Sequence, residues 1–311
     1  DCEDAVELAR RDRAAVERGL DLKRTGNLLM ERVGGRAVHP VNVRVGGFYR
    51  APDEATIRSL VDPLRRARDA ALATTQWVAS FDFPDVEGDY RFVALQRGDM
   101  YPIESGRVAS SEGLDTDAAG FASLAVEEQV ERSTALHARL RGTDSYLTGP
   151  LARYALNSSV LPALAREAAA GAGLGPVCNN PFRSIVVRAV ELVFACDEAL
   201  RLAESYEPPD PPAVEVPPAG RVGAGATEAP RGILLQRYEL DPDGIIRSAR
   251  IMPPTSQNQL TIESDLRRVV EGSLSLSEEE LTRRCEQAVR NHDPCISCAA
   301  HFLDVTVERR P

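Results

Sequence analysis

The chain has 311 residues, enough for about two domains of average size. Its 47 acidic residues outnumber its 37 basic residues, so the formal net charge is −10. The basic residues form no stripe of the kind that binds nucleic acid, and we expect no nucleic-acid partner. No apolar run approaches the roughly 18 residues of a transmembrane helix, so we expect no membrane span. Residues 1–4 lack the layout of a signal peptide.

The first part of the chain alternates helices with short extended segments. Apolar residues at helical spacing predict a helix over residues 1–33, which the following double glycine ends. Gly34-Gly35 and Gly46-Gly47 frame an extended segment in which we expect close backbone approach or positive φ. A second helix is predicted over residues 53–80. Residues 88–113 alternate and carry Gly and Pro, which predicts a small β segment.

Helices dominate the prediction from residue 122 onward. We expect helices over residues 122–141, 160–171, 183–205, 261–272 and 277–290. Residues 206–220 contain six prolines, which is typical of an extended connector. Residues 232–250 predict a β-hairpin that turns at Asp241-Pro242-Asp243-Gly244, and Ser277 is the expected N-cap of the last helix. The predicted fold class is therefore α+β, predominantly helical, with small β segments.

A pair of cysteines near the end of the chain is the most specific indication of a metal or redox site. The sequence has six cysteines, too sparse for a disulfide scaffold, and only Cys295 and Cys298 have ligand spacing. This usage predicts a reducing, cytoplasmic compartment. Cys-x-x-Cys places two soft thiolates within reach of one nickel, zinc, copper(I) or iron–sulfur centre, and His301 could add a nitrogen ligand.

Two less specific interpretations of the pair remain open from spacing alone. The first is half of a structural zinc site, although no second Cys/His pair of zinc spacing occurs elsewhere in the sequence. The second is a redox-active dithiol, which the preceding Asp293-Pro294 and the near-terminal position do not suit.

The motif Asp-Pro-Cys-Ile-Ser-Cys-Ala-Ala-His at residues 293–301 resembles the second cysteine motif of [NiFe]-hydrogenase large subunits. It is most similar to the cytosolic NAD(P)-coupled type, which includes the sulfhydrogenases. Further blocks that fit the family follow in family order: Gly-Gly-Arg-Ala-Val-His-Pro-Val-Asn at 34–42, Tyr-Leu-Thr-Gly-Pro-Leu-Ala-Arg at 146–153, Asn-Pro-Phe-Arg-Ser-Ile at 180–185, Gly-Ala-Thr-Glu-Ala-Pro-Arg-Gly at 225–232 and Pro-Pro-Thr-Ser-Gln-Asn-Gln at 253–259.

The resemblance implies a nickel–iron centre, with cyanide and carbon monoxide on the iron. Cys295 would be a terminal nickel ligand and the base that takes the proton when hydrogen is split, and Cys298 would bridge nickel and iron. Arg231, beside Pro230, would lie over the open face of the metals. Thr255 would donate a hydrogen bond to a cyanide.

His301, helped by the Ile251 backbone carbonyl, would hold a structural magnesium ion. Ordinary structural roles are open to single residues: a surface salt bridge for Arg231, a helix or turn cap for Thr255, a packed structural role for His39 and a surface position for His292.

The resemblance also predicts how the chain is organised and processed. Residues 1–301 would be the C-terminal portion of a large-subunit domain whose N-terminal part is absent. Residues 302–311 would be a propeptide-like tail, which a maturation endopeptidase removes after His301 once nickel-insertion proteins have acted. The family's first cysteine motif, which supplies the other two nickel thiolates, has no counterpart before residue 295. We therefore do not expect these 311 residues alone to catalyse.

The sequence is compatible with three functions. The first is reversible oxidation of H2, with electrons passing to an iron–sulfur small subunit and on to NAD(P), with flavin and iron–sulfur diaphorase-type subunits as further partners. The second is a non-catalytic scaffold like the related quinone-binding subunit of respiratory complex I, which has no need of the two thiolates. The third is a structural zinc protein. We expect the first.

Overall fold

The computed structural model describes residues 5–142 and 145–295. Contacts divide the chain into two compact units. The first comprises the described residues through Phe81, Pro162–Gly173 and Arg188–Pro218, and the second comprises Asp82–Leu161, Leu174–Val187 and the described residues from Ala219 onward. The architecture is α+β with helices predominating, which confirms the predicted fold class.

The first unit is built from helices and one small hairpin. Its elements are α1 (Ala5–Arg11), α2 (Arg13–Gly34), β1 (Val43–Arg44), β2 (Gly47–Phe48), α3 (Glu54–Arg58), α4 (Val61–Ala79), α7 (Ala163–Gly171) and the part of α8 (Ser184–Glu204) from Arg188 onward. Asp12 caps the start of α2 by accepting from Ala15 N at 3.0 Å, and Gly35 ends it with φ +81°. Its core is centred on Leu60, Leu64 and Leu200.

The two double glycines mark positions where the backbone needs glycine. At Gly46, with φ +92°, a Cβ atom would lie 2.1 Å from the Val214 carbonyl oxygen. Val214 N in turn donates to Gly46 O at 3.0 Å, so the proline-rich connector runs directly against the β1–β2 hairpin. The expectation of close backbone approach and positive φ is confirmed here.

The described residues of the second unit form helices, the first turn of α8 and the remaining strands. Its elements are β3 (Val93–Gln96), β4 (Arg107–Ser110), β5 (Asp115–Thr116), α5 (Ala118–Leu124), β6 (Ala125–Glu128), β7 (His137–Leu140), α6 (Pro150–Asn157), β8 (Val222–Ala229), β9 (Gly232–Leu240), β10 (Ile246–Met252), α9 (Pro254–Glu271) and α10 (Glu278–Asn291). The strands form antiparallel sheets β3–β4–β5, β6–β7 and β8–β9–β10. Phe121, Tyr146 and Ile233 lie in their shared core.

The hairpin and the last helix are formed as their local signals predict. Asp241 Oδ1 accepts from Asp243 N and Ile245 N, and Gly244 adopts φ +83°, which turns β9 into β10. Ser277 and Glu280 form a complete capping box at the start of α10. Both elements are therefore specified by residues close in sequence.

Several sequence predictions are wrong. Residues 122–141 do not form one helix, because the chain leaves α5 at Ala125 and continues as β6 and β7. Glu127 of β6 pairs with Arg250 of β10 at 3.0 Å, a tertiary contact that overrides the local helical pattern. The helix predicted from residue 261 begins at Pro254, since proline is well accommodated in the first turn. Strand β8 was not predicted.

Candidate metal centre

Arg231 lies at the tip of a tight hairpin. Ala229 at the end of β8 pairs with Gly232 at the start of β9, which leaves Pro230 and Arg231 as the two loop residues. Gly232 has φ +133°, and a Cβ atom there would lie 2.5 Å from Thr148 Cγ2. The glycine after Arg231 is therefore required by both conformation and space.

A buried ion pair fixes the backbone of this hairpin tip. The Arg153 guanidinium in α6 donates to Glu228 Oε2 at 3.0 Å, and both side chains are almost fully buried. The same guanidinium donates to the carbonyl oxygens of Ala229 and Pro230, each at 2.9 Å. Glu228 also accepts from Leu95 N at 2.8 Å. The planar fork of arginine thus fixes two successive carbonyls just before Arg231.

Amide and hydroxyl groups connect the start of α9 to the same hairpin. Asn258 accepts from Thr148 N at 2.9 Å and donates to Thr148 O at 3.0 Å. The Thr148 hydroxyl accepts from Ile233 N at 3.0 Å. Thr148, Ile233 and Asn258 come from three separate stretches of sequence, so these bonds join the helix α9, the hairpin and the segment before α6.

Cys295 follows α10, and the segment from Asp293 to Cys295 is contacted by the hairpin and by α9. Arg231 Nε donates to the Asp293 carbonyl oxygen, and its guanidinium lies 3.5 Å from the Asp293 carboxylate. Cys295 N donates to Thr255 Oγ1 at 3.4 Å, and Thr255 is buried. Asp293 itself adopts φ +47°, which is uncommon for a residue other than glycine. The segment that carries Cys295 is thus held at two points, Asp293 and the amide of Cys295.

Cys295 differs from the other described cysteines in exposure. Cys178, Cys196 and Cys285 are buried, whereas Cys295 is partly exposed, and none of the four is in a disulfide. Burial raises the pKa of Cys178 and of Cys285, and burial together with the charge of Asp197 raises the pKa of Cys196 to about 11. Those three thiols are kept protonated and inert, so Cys295 is the described cysteine best placed to bind a metal as thiolate.

The structure brings several predicted site residues together. The turn that follows α10 brings together Thr255, Cys295 and Arg231, the last with its neighbour Pro230. Arg231 does form an ion pair, but its partner Asp293 belongs to the cysteine motif itself. Ile251 lies in β10, paired with Gln236 of β9. Cys298, His301 and the cleavage position after His301 lie outside the described residues, and the described part of the chain contains no cluster of three metal-binding side chains.

The roles expected for two histidines are wrong, and one of these histidines, His292, lies close to Cys295. His39 is exposed rather than packed. His292 is not a surface residue, because its side chain is 4% exposed and its Nε2 lies 2.9 Å from Asp265 Oδ2. Sequence reasoning also missed the roles of Arg153 and Glu228. Their only sequence signal was membership of the resemblance blocks at 146–153 and 225–232.

The chain resembles hydrogenase subunits in both sequence and structure. It is 30% identical over 292 residues to the alpha subunit of sulfhydrogenase 1 from Pyrococcus furiosus, covering 93% of this chain and 68% of that protein. It is 28% identical over 310 residues to the alpha subunit of sulfhydrogenase 2 from the same organism, covering 96% and 71%. No protein-family model matches the chain.

Among solved structures, the fold is similar to that of a chain of an NAD+-reducing [NiFe]-hydrogenase in the H2-reduced state. The TM-score is 0.80 at 23% identity, covering 96% of this chain and 71% of that one. Among the described residues, every helix is too short or too polar to cross a bilayer.

Proposed function

The chain belongs to the large, catalytic subunits of the [NiFe]-hydrogenases, enzymes that act on H2, and from this membership we propose how its residues serve a nickel–iron centre. Cys295 and Cys298 are two of the thiolate ligands. The observation that carries this assignment is the pair of contacts from Arg231 and Thr255 to the segment ending at Cys295. Family membership disfavours the scaffold and the zinc protein as alternatives.

The donor chemistry of the described residues fits such a centre. Cys295 offers a soft sulfur on a partly exposed residue, and nickel accepts thiolate ligands. When bound, the nickel–iron centre supplies the site at which H2 is split. The Cys295 sulfur then serves as the nearby base that holds the released proton, because metal binding brings the basicity of a thiolate toward the working pH.

Arg231 and Thr255 shape the surroundings of Cys295. The Arg231 guanidinium is held by Asp293 and by the hairpin, and it would supply a fixed positive charge beside a metal bound at Cys295. The Thr255 hydroxyl accepts from Cys295 N through its oxygen and still carries a hydrogen that it can donate. We assign that hydrogen to a cyanide on the iron, with carbon monoxide as the iron's other kind of diatomic ligand.

The proposal extends to a second metal and to partners. His301 and the Ile251 carbonyl oxygen would hold a structural magnesium ion. Electrons would leave through an iron–sulfur small subunit and then diaphorase-type subunits to NAD(P), as the name of the NAD+-reducing relative suggests. Nickel-insertion proteins and an endopeptidase would mature the subunit in the cytoplasm, where thiols stay reduced.

Metal analysis of the protein purified from its native host tests the proposal. We expect nickel together with iron, the iron in excess because an iron–sulfur partner subunit adds its own, infrared bands of bound cyanide and carbon monoxide, and H2-dependent reduction of NAD(P). Cys295→Ser should abolish nickel binding, because a hydroxyl is a poor ligand for a soft site. Cys285→Ser, a buried cysteine outside the motif, should keep the nickel. Zinc alone, or no metal in the native protein, would contradict the proposal.

A further inference from the structure

A buried histidine begins the turn that carries Cys295, and the proposed chemistry makes no use of it. His292 is the C-cap residue of α10. Its Nε2 lies 2.9 Å from Oδ2 of Asp265 in α9, and both side chains are 4% exposed. Because an ionised carboxylate only accepts hydrogen bonds, His292 Nε2 is the donor. The C-terminal end of α10 is therefore tied to α9 by a side chain three residues before Cys295.

The partner carboxylate has little freedom of its own. The Tyr90 hydroxyl donates to Asp265 Oδ2 at 2.6 Å, and Arg268 donates to Oδ1 at 2.8 Å. Burial and the adjacent carboxylate raise the pKa of Tyr90, so the tyrosine stays protonated and remains a donor. Tyr90 and Arg268 thus fix the carboxylate independently of His292, and its position dictates where the His292 ring lies.

The backbone after His292 needs such an anchor. Asp293 adopts φ +47°, a conformation that costs energy for a residue with a Cβ atom and persists where its surroundings hold it. Arg231 and Thr255 hold the turn on the side of Cys295. On the side of α10, Asp293 N donates to Arg290 O at 3.0 Å, and the Ser184 hydroxyl donates to Asn291 O. The His292 side chain adds a contact to α9 at the residue just before Asp293.

We propose that His292 is a positioning residue for Cys295, whose hydrogen bond to Asp265 fixes the turn so that the thiol is presented in one orientation before any metal binds. The proposal rests on the proposed function in that it takes Cys295 as a metal ligand. The positioning itself is a property of the metal-free chain, so it can be measured without nickel.

Site-resolved alkylation of the metal-free chain by iodoacetamide, read by peptide mass spectrometry, tests the role. In His292→Ala we expect the alkylation rate of Cys295 to rise about tenfold, the effect of losing a hydrogen bond to a charged group. The buried Cys178, which belongs to the same unit, should stay almost unlabelled in every variant, which shows that the unit remains folded. His292→Gln, which keeps a donor at similar reach, should restore most of the protection.

The matched control is a second histidine–carboxylate pair among the described residues of the second unit, in which the histidine is buried and the Glu263 carboxylate is 35% exposed. His137 Nε2 lies 3.0 Å from Glu263 Oε1, and the His137 side chain is 2% exposed. His137→Ala should lower the melting temperature but leave the Cys295 rate unchanged. The proposal is overturned if His292→Ala leaves that rate within about twofold of wild type, or if His137→Ala raises it equally. Absence of nickel from the native protein would instead contradict the proposed function.

Discussion

The buried ion pair between Arg153 and Glu228 holds the backbone of the hairpin tip that carries Arg231. Glu228 has no exposed side-chain surface, and Arg153 is its partner from α6. Burying two paired charges adds little to the stability of a protein, but burying either charge without its partner lowers that stability strongly. Arg153 also holds the carbonyl oxygens of Ala229 and Pro230. The pair therefore ties the placement of Arg231 to the stability of the second unit.

Substitution of Arg153 by Met should destabilise the protein by about 3 kcal/mol, because it leaves the Glu228 carboxylate buried without its charged partner. Chemical denaturation followed by circular dichroism measures this loss. The control is Arg65→Met, which breaks a pair with Glu204 whose side chains are 51% and 45% exposed. That change should cost less than about 1 kcal/mol. Equal losses in the two variants would show that burial of the pair does not matter.

At the scale of single elements, the sequence predicts what neighbouring residues decide. The capping box of α10 and the Asp241 turn depend on contacts within five residues, and both were predictable. Residues 122–141 were not, because the exchange of helix for β6 and β7 depends on Arg250, more than a hundred residues away. Strand β8 was missed for the same reason, since its Gly-rich sequence becomes a strand only by pairing with β9.

The β1–β2 hairpin offers a test of why a glycine is needed. Gly46 and Gly113 have almost equal φ, +92° and +90°, but only Gly46 has a neighbour within reach of an added Cβ. Gly113→Ala should cost about 1–2 kcal/mol for the left-handed conformation alone. Gly46→Ala should cost a further ~1–3 kcal/mol, because the methyl group collides with the Val214 carbonyl. Thermal unfolding of both variants measures the difference, and equal costs would refute the close approach.

At the scale of the whole molecule, the blocks at 146–153, 225–232 and 253–259 and the described part of the cysteine motif are brought together within the second unit, whereas the block at 34–42 belongs to the first unit. The segments around Thr148, Arg231, Thr255 and Cys295 are separated by long stretches of chain but joined by hydrogen bonds. These residues could be predicted from the sequence because each of them belongs to a motif that resembles a family motif as a whole. Asp265 and His292 could not be predicted as a pair, because their contact is between α9 and α10 and follows no spacing rule.

Residues 302–311, which follow the cysteine motif, offer a test of maturation. If nickel is held by Cys295 and Cys298, the protein isolated from its host with nickel bound should lack residues 302–311, cut after His301. Intact-mass spectrometry of the native subunit measures this. Cys298→Ser should leave the tail in place, because a chain that cannot hold nickel is not matured, whereas Cys196→Ser should be cut normally. Nickel-loaded protein that keeps all ten residues would show that cleavage is not part of its maturation.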